Sequence, residues 1–137
     1  MKVYVDTSAA LRAIFREPNA AKSWGRWEKA YSSRLWRMEA YRTVDRLRLA
    51  GQLDDAGVVE ARRGIELVDG TFHIVGLSDA ILRRCEETFP TTVGTLDAIH
   101  LATALAVHAA EPLDRFLTHD AQLAAVARAM GFNVEGV

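Results

Sequence analysis

The first apolar positions, Val3-Tyr4-Val5, form a short unbroken run of β-branched and aromatic residues, the pattern of a strand covered on both faces. The run ends at Asp6-Thr7-Ser8, an acid followed by two hydroxyl residues. A short helix is expected over Ala9–Arg16 and closed by Glu17-Pro18-Asn19, because proline removes a donor and disfavours helix at its predecessor. Ala21, Trp24, Trp27 and Tyr31 recur at spacings of three or four, which predicts a second helix over Ala20–Tyr31, broken by Ser32-Ser33. A very short strand is placed at Arg34-Leu35-Trp36. From Arg37 to Ala50, Met38, Tyr41, Val44 and Leu47 recur every three residues and mark a helix that Gly51 ends. Asp54 or Asp55 opens a further helix through Val58, Ala61 and Ile65 to Val68, despite Gly64 in its interior.

Asp69-Gly70 reads as a turn and Thr71–Gly76 as a strand, with β-branched and aromatic residues throughout. Ser78 caps a helix over Asp79–Thr88, and Pro90–Gly94 is a loop. Leu96–Ala110 is apolar around almost its whole circumference, which means a helix buried on most sides. Arg115–Thr118 is a strand, Asp120–Met130 a helix stopped by Gly131, and Phe132–Val134 a closing strand. Strands separated by helices imply crossover connections. The expected class is therefore α/β: a three-layer α/β/α sandwich around a central, mainly parallel sheet. With 137 residues, half of them hydrophobic, and no repeat or linker, the chain reads as one domain over 1–137.

Composition narrows the chemistry. One cysteine, Cys85, excludes an internal disulfide, and no Cys/His pairs stand at finger spacing, so a reducing compartment fits best. A first strand that starts at Lys2 leaves no room for a signal peptide, and no apolar run approaches the roughly eighteen residues that span a bilayer. A soluble, cytoplasmic protein with no membrane partner is expected. The net charge of −1 does not suggest nucleic acid, but between Arg16 and Arg48 nine basic residues face only four acids. Such a run is either a solvated helix face or a surface for phosphates, with Arg34, Arg37, Arg42 and Arg46 the candidate RNA-binding residues.

Four acids sit where this architecture gives them something to do. Asp6 ends the first strand, where ligands bind in open parallel sheets. Glu39 lies in the first turn of its helix, Asp97 in the first turn of the buried helix, and Asp120 just after the Arg115–Thr118 strand. Each also has an ordinary structural explanation. Asp6 and Asp120 are good N-caps, Glu39 can pair with Arg42 or Arg46, and Asp97 can complement a helix dipole behind a Thr95 cap. Three or four carboxylates converging without histidines is hard-cation chemistry, suited to Mg²⁺ or Mn²⁺ with water and phosphate completing the shell. His100 lies one turn after Asp97 and reads either as a satisfied core residue or as a neighbour of the site. His73, His108 and His119 show no ligand spacing. Trp24, Trp27, Tyr31 and Trp36 read as core or interface before they read as base-stacking platforms. There is no Walker lysine motif and no G-x-G-x-x-G. A phosphatase or receiver built on Asp6 would want a second Asp where Ser8 stands, or a late lysine, and no lysine follows Lys29.

Four stretches together are familiar: V-Y-V-D-T-S-A-A-L at Val3–Leu11, S-S-R-L-W-R-M-E at Ser32–Glu39, T-L-D-A-I-H-L-A-T-A at Thr95–Ala104 and F-L-T-H-D-A-Q-L-A-A-V-A at Phe116–Ala127. In order and spacing the chain resembles the PIN-domain ribonucleases, specifically the VapC-type toxins of bacterial toxin–antitoxin pairs. The resemblance implies a single PIN-like nuclease domain whose catalytic, metal-holding quartet falls on Asp6, Glu39, Asp97 and Asp120. Ser8 and Thr118 would supply supporting hydroxyls. It further implies endonucleolytic cleavage of RNA by a water activated by Mg²⁺ or Mn²⁺, a homodimer, and neutralisation by a cognate VapB-type antitoxin. The alternative of another class is a non-catalytic module that uses the same surface to hold RNA or a partner. The match is loosest over Gly51–Gly70 and in the loop before Thr95.

Overall fold

A computed structural model describes residues 1–137. Five strands form one sheet: β1 (Lys2–Val5), β2 (Lys29–Ser33), β3 (His73–Val75), β4 (Arg115–Leu117) and β5 (Val134–Glu135). They lie in the order β3-β2-β1-β4-β5, and every adjacent pair is parallel. Six helices fill the connections: α1 (Thr7–Ile14), α2 (Leu35–Leu49), α3 (Asp55–Asp69), α4 (Asp79–Cys85), α5 (Thr95–Ala110) and α6 (Ala121–Ala129).

The apolar run at the start of the chain is the middle of this sheet. Val3 and Val5 point to one face, into a core with Ala9 and Ala10 of α1, Trp36, Ala40 and Val44 of α2, and Ala61 and Ile65 of α3. Tyr4, between them, points to the other face and packs with Leu101, Ala104 and Val107 of α5 and Leu123, Val126 and Ala127 of α6. Alternate residues of a strand face opposite sides. A strand covered on both sides therefore has no polar position to spare. Val3, Tyr4 and Val5 are each fully buried.

After β1 the chain builds outward through β2 and β3, then crosses back to lay β4 and β5 on the other side. β1 and β4 thus flank the switch point, and the crevice outside their carboxyl ends is where open α/β sheets hold ligands. The backbone N–H of Asp6 donates to the Leu117 carbonyl at 3.0 Å, carrying the β1–β4 ladder to the edge where both strands stop.

Two expected elements are corrected. Residues 20–28 are turns rather than a helix, and β2 begins at Lys29, inside the stretch expected to be helical. The three-residue spacing of Trp24 and Trp27 serves an aromatic cluster instead. Their rings meet edge-to-face at 5.1 Å, and both pack on Phe72, which Trp36 also touches. The short strand placed at Arg34-Leu35-Trp36 lies at Lys29–Ser33, and α2 already starts at Leu35. Lys-Ala-Tyr-Ser-Ser has little intrinsic preference for strand, but its small residues suit a crowded position between two paired neighbours. Ala30, Ser32 and Ser33 are fully buried, and the Ser32 hydroxyl donates to the Val5 carbonyl at 2.7 Å. The remaining elements fall where the hydrophobic pattern put them, within a few residues at their ends.

Gly64, which weakens α3 on propensity, sits against α1: a Cβ there would lie 2.9 Å from Cγ2 of Ile14. Close approach of α3 to α1 accounts for it. At the C-terminus Gly136 has φ +115°, and a Cβ would lie 2.3 Å from the carbonyl oxygen of Thr118. Gly136→Ala should therefore lower stability by about 1–3 kcal/mol, the usual cost of forcing a side chain into such backbone, read as a lower urea midpoint with an unchanged slope. An unchanged midpoint would show that the C-terminal segment does not pack on β4 in solution.

Candidate functional site

The sheet topology brings three elements of the expected site to one edge. Asp6 follows β1 and is the N-cap of α1, its Oδ1 accepting from the Ala9 N–H at 3.1 Å. Asp120 follows β4 and caps α6, its Oδ1 accepting from the Leu123 N–H at 2.9 Å. Glu39 projects from the second turn of α2, just beyond β2. Asp97 lies in the first turn of α5, which starts from Gly94 with no side-chain cap, so Thr95 is the first helical residue and not the cap.

Hydroxyls bind these acids together. Ser8 Oγ donates to the Asp6 carboxylate, at 2.8 Å from Oδ1 and 3.0 Å from Oδ2, and accepts from the His119 N–H at 2.8 Å. It stands 3.2 Å from Thr118 Oγ1, which accepts from the Asp120 N–H at 3.0 Å. The two candidate hydroxyls thus join the ends of β1 and β4. Thr7 Oγ1 donates to Glu39 Oε1 at 2.7 Å, tying α2 to the same junction. His100 Nε2 meets that oxygen at 2.6 Å, while Nδ1 meets Tyr4 Oη at 2.7 Å. His100 is therefore both of the things its position allowed: a buried residue with its nitrogens satisfied, and a neighbour of the site. The alternative pairing of Glu39 with Arg42 does not occur, since Arg42 pairs with Asp45.

None of Asp6, Asp97 and Asp120 has a lysine or arginine partner, and the only ion pair of Glu39 is with His100. The electrostatic result is plain at Asp97. Its carboxyl is pushed up to about 6, first by burial, then by the charges of Asp120 and Asp6, with Glu39 adding to them and His100 opposing. Asp6 is raised as well, chiefly by burial, against the stabilising effects of His100, Ser8, the Ala9 N–H and Thr118. For His100 burial is the strongest single effect and disfavours its charge. The Glu39 hydrogen bond and the charges of Asp6, Glu39 and Asp97 together outweigh it, and the imidazole is held above its ordinary value.

The donor set is four carboxylates whose mutual repulsion no lysine or arginine relieves and His100 offsets only in part, which is the chemistry of an oxygen-ligated hard cation. As the side chains stand, no three acidic, histidine or cysteine groups close into a cage around an ion. Mg²⁺ does not require one, because it keeps several waters and is commonly held by one or two carboxylates plus phosphate. The residues present fit such an ion.

The family model for the PIN domain matches residues 3–133. The chain belongs to the PIN-domain family. Among curated relatives, ribonuclease VapC47 of Mycobacterium tuberculosis is 33% identical, over 95% of this chain and 93% of that protein, which puts this PIN domain in the VapC-type ribonuclease family. Two solved structures share its fold at 14% identity. Mycobacterium tuberculosis VapC20, described as a sarcin–ricin loop cleaving toxin, superposes with a TM-score of 0.64 over 96% of both chains. VapBC2 from Rickettsia felis superposes at 0.63 over 88% of both.

The basic residues of this PIN domain are divided. Arg37 is tied to Glu66 and Asp69 of α3, and Arg42 and Arg48 share Asp45. Arg34 and Arg46 are exposed and have no acidic partner. Two contributors at the edge escaped the sequence reading, Thr7 and Tyr4. Thr7 lies between two residues that were singled out, and Tyr4 on the core strand looks like any buried aromatic until its hydroxyl is given a partner.

Asp97 also sets a pH dependence. Its folded value of about 6 lies above its ordinary 3.8, so the native state holds this proton more tightly than the unfolded chain does. The resulting stabilisation is complete below about pH 4 and is lost as pH rises through about 6. In metal-free protein Asp97→Asn should be more stable than the parent near pH 7.5, by about 1 kcal/mol after allowing for solvent screening of a half-buried group. The difference should close as pH falls toward 4. Urea melts across that range measure it, and a constant difference would contradict the proposed repulsion.

Proposed function

We propose that residues 1–137 form one nuclease domain, a metal-dependent endoribonuclease toxin neutralised by a VapB-type antitoxin. The observation that carries this reading is the convergence of Asp6, Glu39, Asp97 and Asp120 with no lysine or arginine among them, at the crevice outside the carboxyl ends of β1 and β4. Membership of the VapC-type family supports the ribonuclease class.

Asp6, Glu39 and Asp97 would be the principal ligands of Mg²⁺ or Mn²⁺, with Asp120 completing the pocket through water. When bound, the ion supplies neutralisation of charge developing on phosphate oxygens during in-line displacement and activation of the attacking water. The reaction is hydrolysis: the water oxygen bonds to phosphorus, the ester P–O bond breaks, and the proton balance ends on the leaving oxygen. Within the chain, Ser8 fixes both oxygens of Asp6, and Thr118 holds the Asp120 backbone. Arg34 and Arg46, free of ion pairs, are the better placed of the four candidate arginines to meet the RNA backbone. Arg37 and Arg42 would first have to leave their acids.

The partner reading rests on a toxin–antitoxin complex from Klebsiella pneumoniae, one chain of which shares this fold at 19% identity, with a TM-score of 0.59 over 86% of both chains. A homodimer is supported by an apolar groove of about 450 Å³ between α4 and α5, lined by Val75, Ile81, Ala102 and Leu105, with exposed Leu77 and Leu82 nearby. No helix is long and apolar enough to cross a membrane. Light scattering of purified protein should return a dimer mass, and a monomer at micromolar concentration would remove that part of the reading.

Asp6→Asn or Asp97→Asn should reduce cleavage of RNA by at least about 100-fold, the scale of losing a group that stabilises the transition state, while circular dichroism stays native. Chelator should abolish cleavage by the parent, and Mn²⁺ should restore it. A fully active Asp97→Asn protein, or cleavage indifferent to chelator, would overturn the mechanism. Retention of RNA binding without cleavage under any metal would favour the binding module.

A further inference from the structure

We propose that His100 and Tyr4 are positioning residues for Glu39: a hydrogen-bonded chain from the sheet core that fixes which carboxylate oxygen is presented to the metal. This rests on the metal-dependent reading above. The chain runs from Tyr4 Oη to His100 Nδ1 at 2.7 Å, and from His100 Nε2 to Glu39 Oε1 at 2.6 Å.

Its anchor is rigid. Tyr4 is fully buried in the central strand, stacked on Phe116 with ring centroids 5.1 Å apart, and His100 is only 2% exposed. An ionised carboxylate can only accept, so Nε2 carries the proton that faces Glu39. Nδ1 is then free to accept from the Tyr4 hydroxyl when the ring is neutral, or to donate to it when charged. In both states Nε2–H remains on Glu39. Thr7 Oγ1 donates to the same oxygen from the end of β1, at 2.7 Å. Two donors converge on Oε1, and no protein donor reaches Oε2. Glu39 stands on α2, across the sheet from α5, and its long side chain has several rotamers to lose. The His100 contact spans that gap and restricts it. A core histidine serving packing alone would need no carboxylate at the end of its chain.

The test is calorimetric titration of Mn²⁺ into metal-stripped protein, with RNA cleavage as a second readout. His100→Gln places an amide N–H at about the reach of Nε2 and keeps the Glu39 bond. His100→Asn reaches only as far as Nδ1 and loses it. We expect His100→Asn to weaken Mn²⁺ binding by about 10- to 100-fold, the usual effect of removing a group that orients a metal ligand. His100→Gln, which keeps the Glu39 bond and loses the Tyr4 one, should fall close to Tyr4→Phe and well short of His100→Asn. Tyr4→Phe keeps the ring packing, so it does not depend on an amide being tolerated in the His100 cavity, and it should weaken binding by at least about threefold. In a Glu39→Gln background, His100→Asn should have no further effect.

Equal Mn²⁺ affinity of the Gln and Asn variants, an unchanged Tyr4→Phe, or additivity of His100→Asn with Glu39→Gln overturns the positioning role. If the parent binds Mn²⁺ and Glu39→Gln weakens it while His100→Asn does not, only this inference fails. If the parent binds no Mn²⁺, the metal-dependent reading itself fails.

Discussion

Four carboxylates converge at one end of the sheet with no lysine or arginine partner, and much of the surrounding structure can be understood as holding them there. Four carboxylates near one another repel, and burial of part of the group strengthens the repulsion by lowering the local dielectric. Asp97 is raised to about 6, first by burial and then by the charges of Asp120 and Asp6. What opposes the repulsion is a set of neutral dipoles. Ser8, Thr7 and Thr118 contribute hydroxyls, and the N-termini of α1 and α6 contribute backbone N–H groups to Asp6 and Asp120. Each helix-terminal contribution stabilises by about 0.3–1 kcal/mol, and each holds its carboxylate in one orientation. An arginine in the same place would stabilise the fold more and would occupy the position a cation needs. The arrangement is the usual exchange of stability for function at a site.

The parallel sheet makes this concentration possible. All five strands end at the same edge, and the order β3-β2-β1-β4-β5 puts the two strands that precede Asp6 and Asp120 side by side. Helices that follow those strands start at that edge, so their positive ends point where the acids are. Glu39 and Asp97 arrive from opposite layers, α2 on the Val3/Val5 face and α5 on the Tyr4 face. The site therefore closes across the sheet end, and it exists only when both layers are docked. His100 links them: it belongs to α5, its chain begins on β1, and it terminates on α2.

Much of this was legible in the sequence because the signals were strong where burial is two-sided. Val3-Tyr4-Val5 and the apolar circumference of Leu96–Ala110 admit few other environments, and the alternation of strands and helices implied a parallel sheet. The four acids were identifiable because each follows a strand or opens a helix. The second strand was not legible. Lys29–Ser33 carries no β-branched residue, and the tryptophans before it repeat at helical spacing for a different reason, the cluster on Phe72. Local pattern reports burial, and it cannot say whether buried side chains at intervals of three share a helix face or a turn. The partners of Glu39 were hidden for a related reason. Thr7 and His100 meet it only through contacts 32 and 61 residues apart in sequence, and no periodicity encodes a crossing of layers.

The capping and ligand readings of these acids, opposed on sequence grounds, are reconciled by the two oxygens of a carboxylate. Asp120 accepts the Leu123 N–H on Oδ1, and Glu39 accepts both Thr7 and His100 on Oε1. In each case one oxygen is used by the fold and the other has no protein donor. Asp6, the most buried of the four, is the exception, with Ser8 spanning both oxygens and the Ala9 N–H on Oδ1. Its direction is therefore the most firmly set. A cap fixes the carboxylate plane by holding one oxygen against a helix end, and in Asp120 this leaves the second oxygen without a protein donor. On that geometry a cap and a ligand are the same residue performing one act of orientation, and loss of the cap would cost the site its aim before it cost the helix its start.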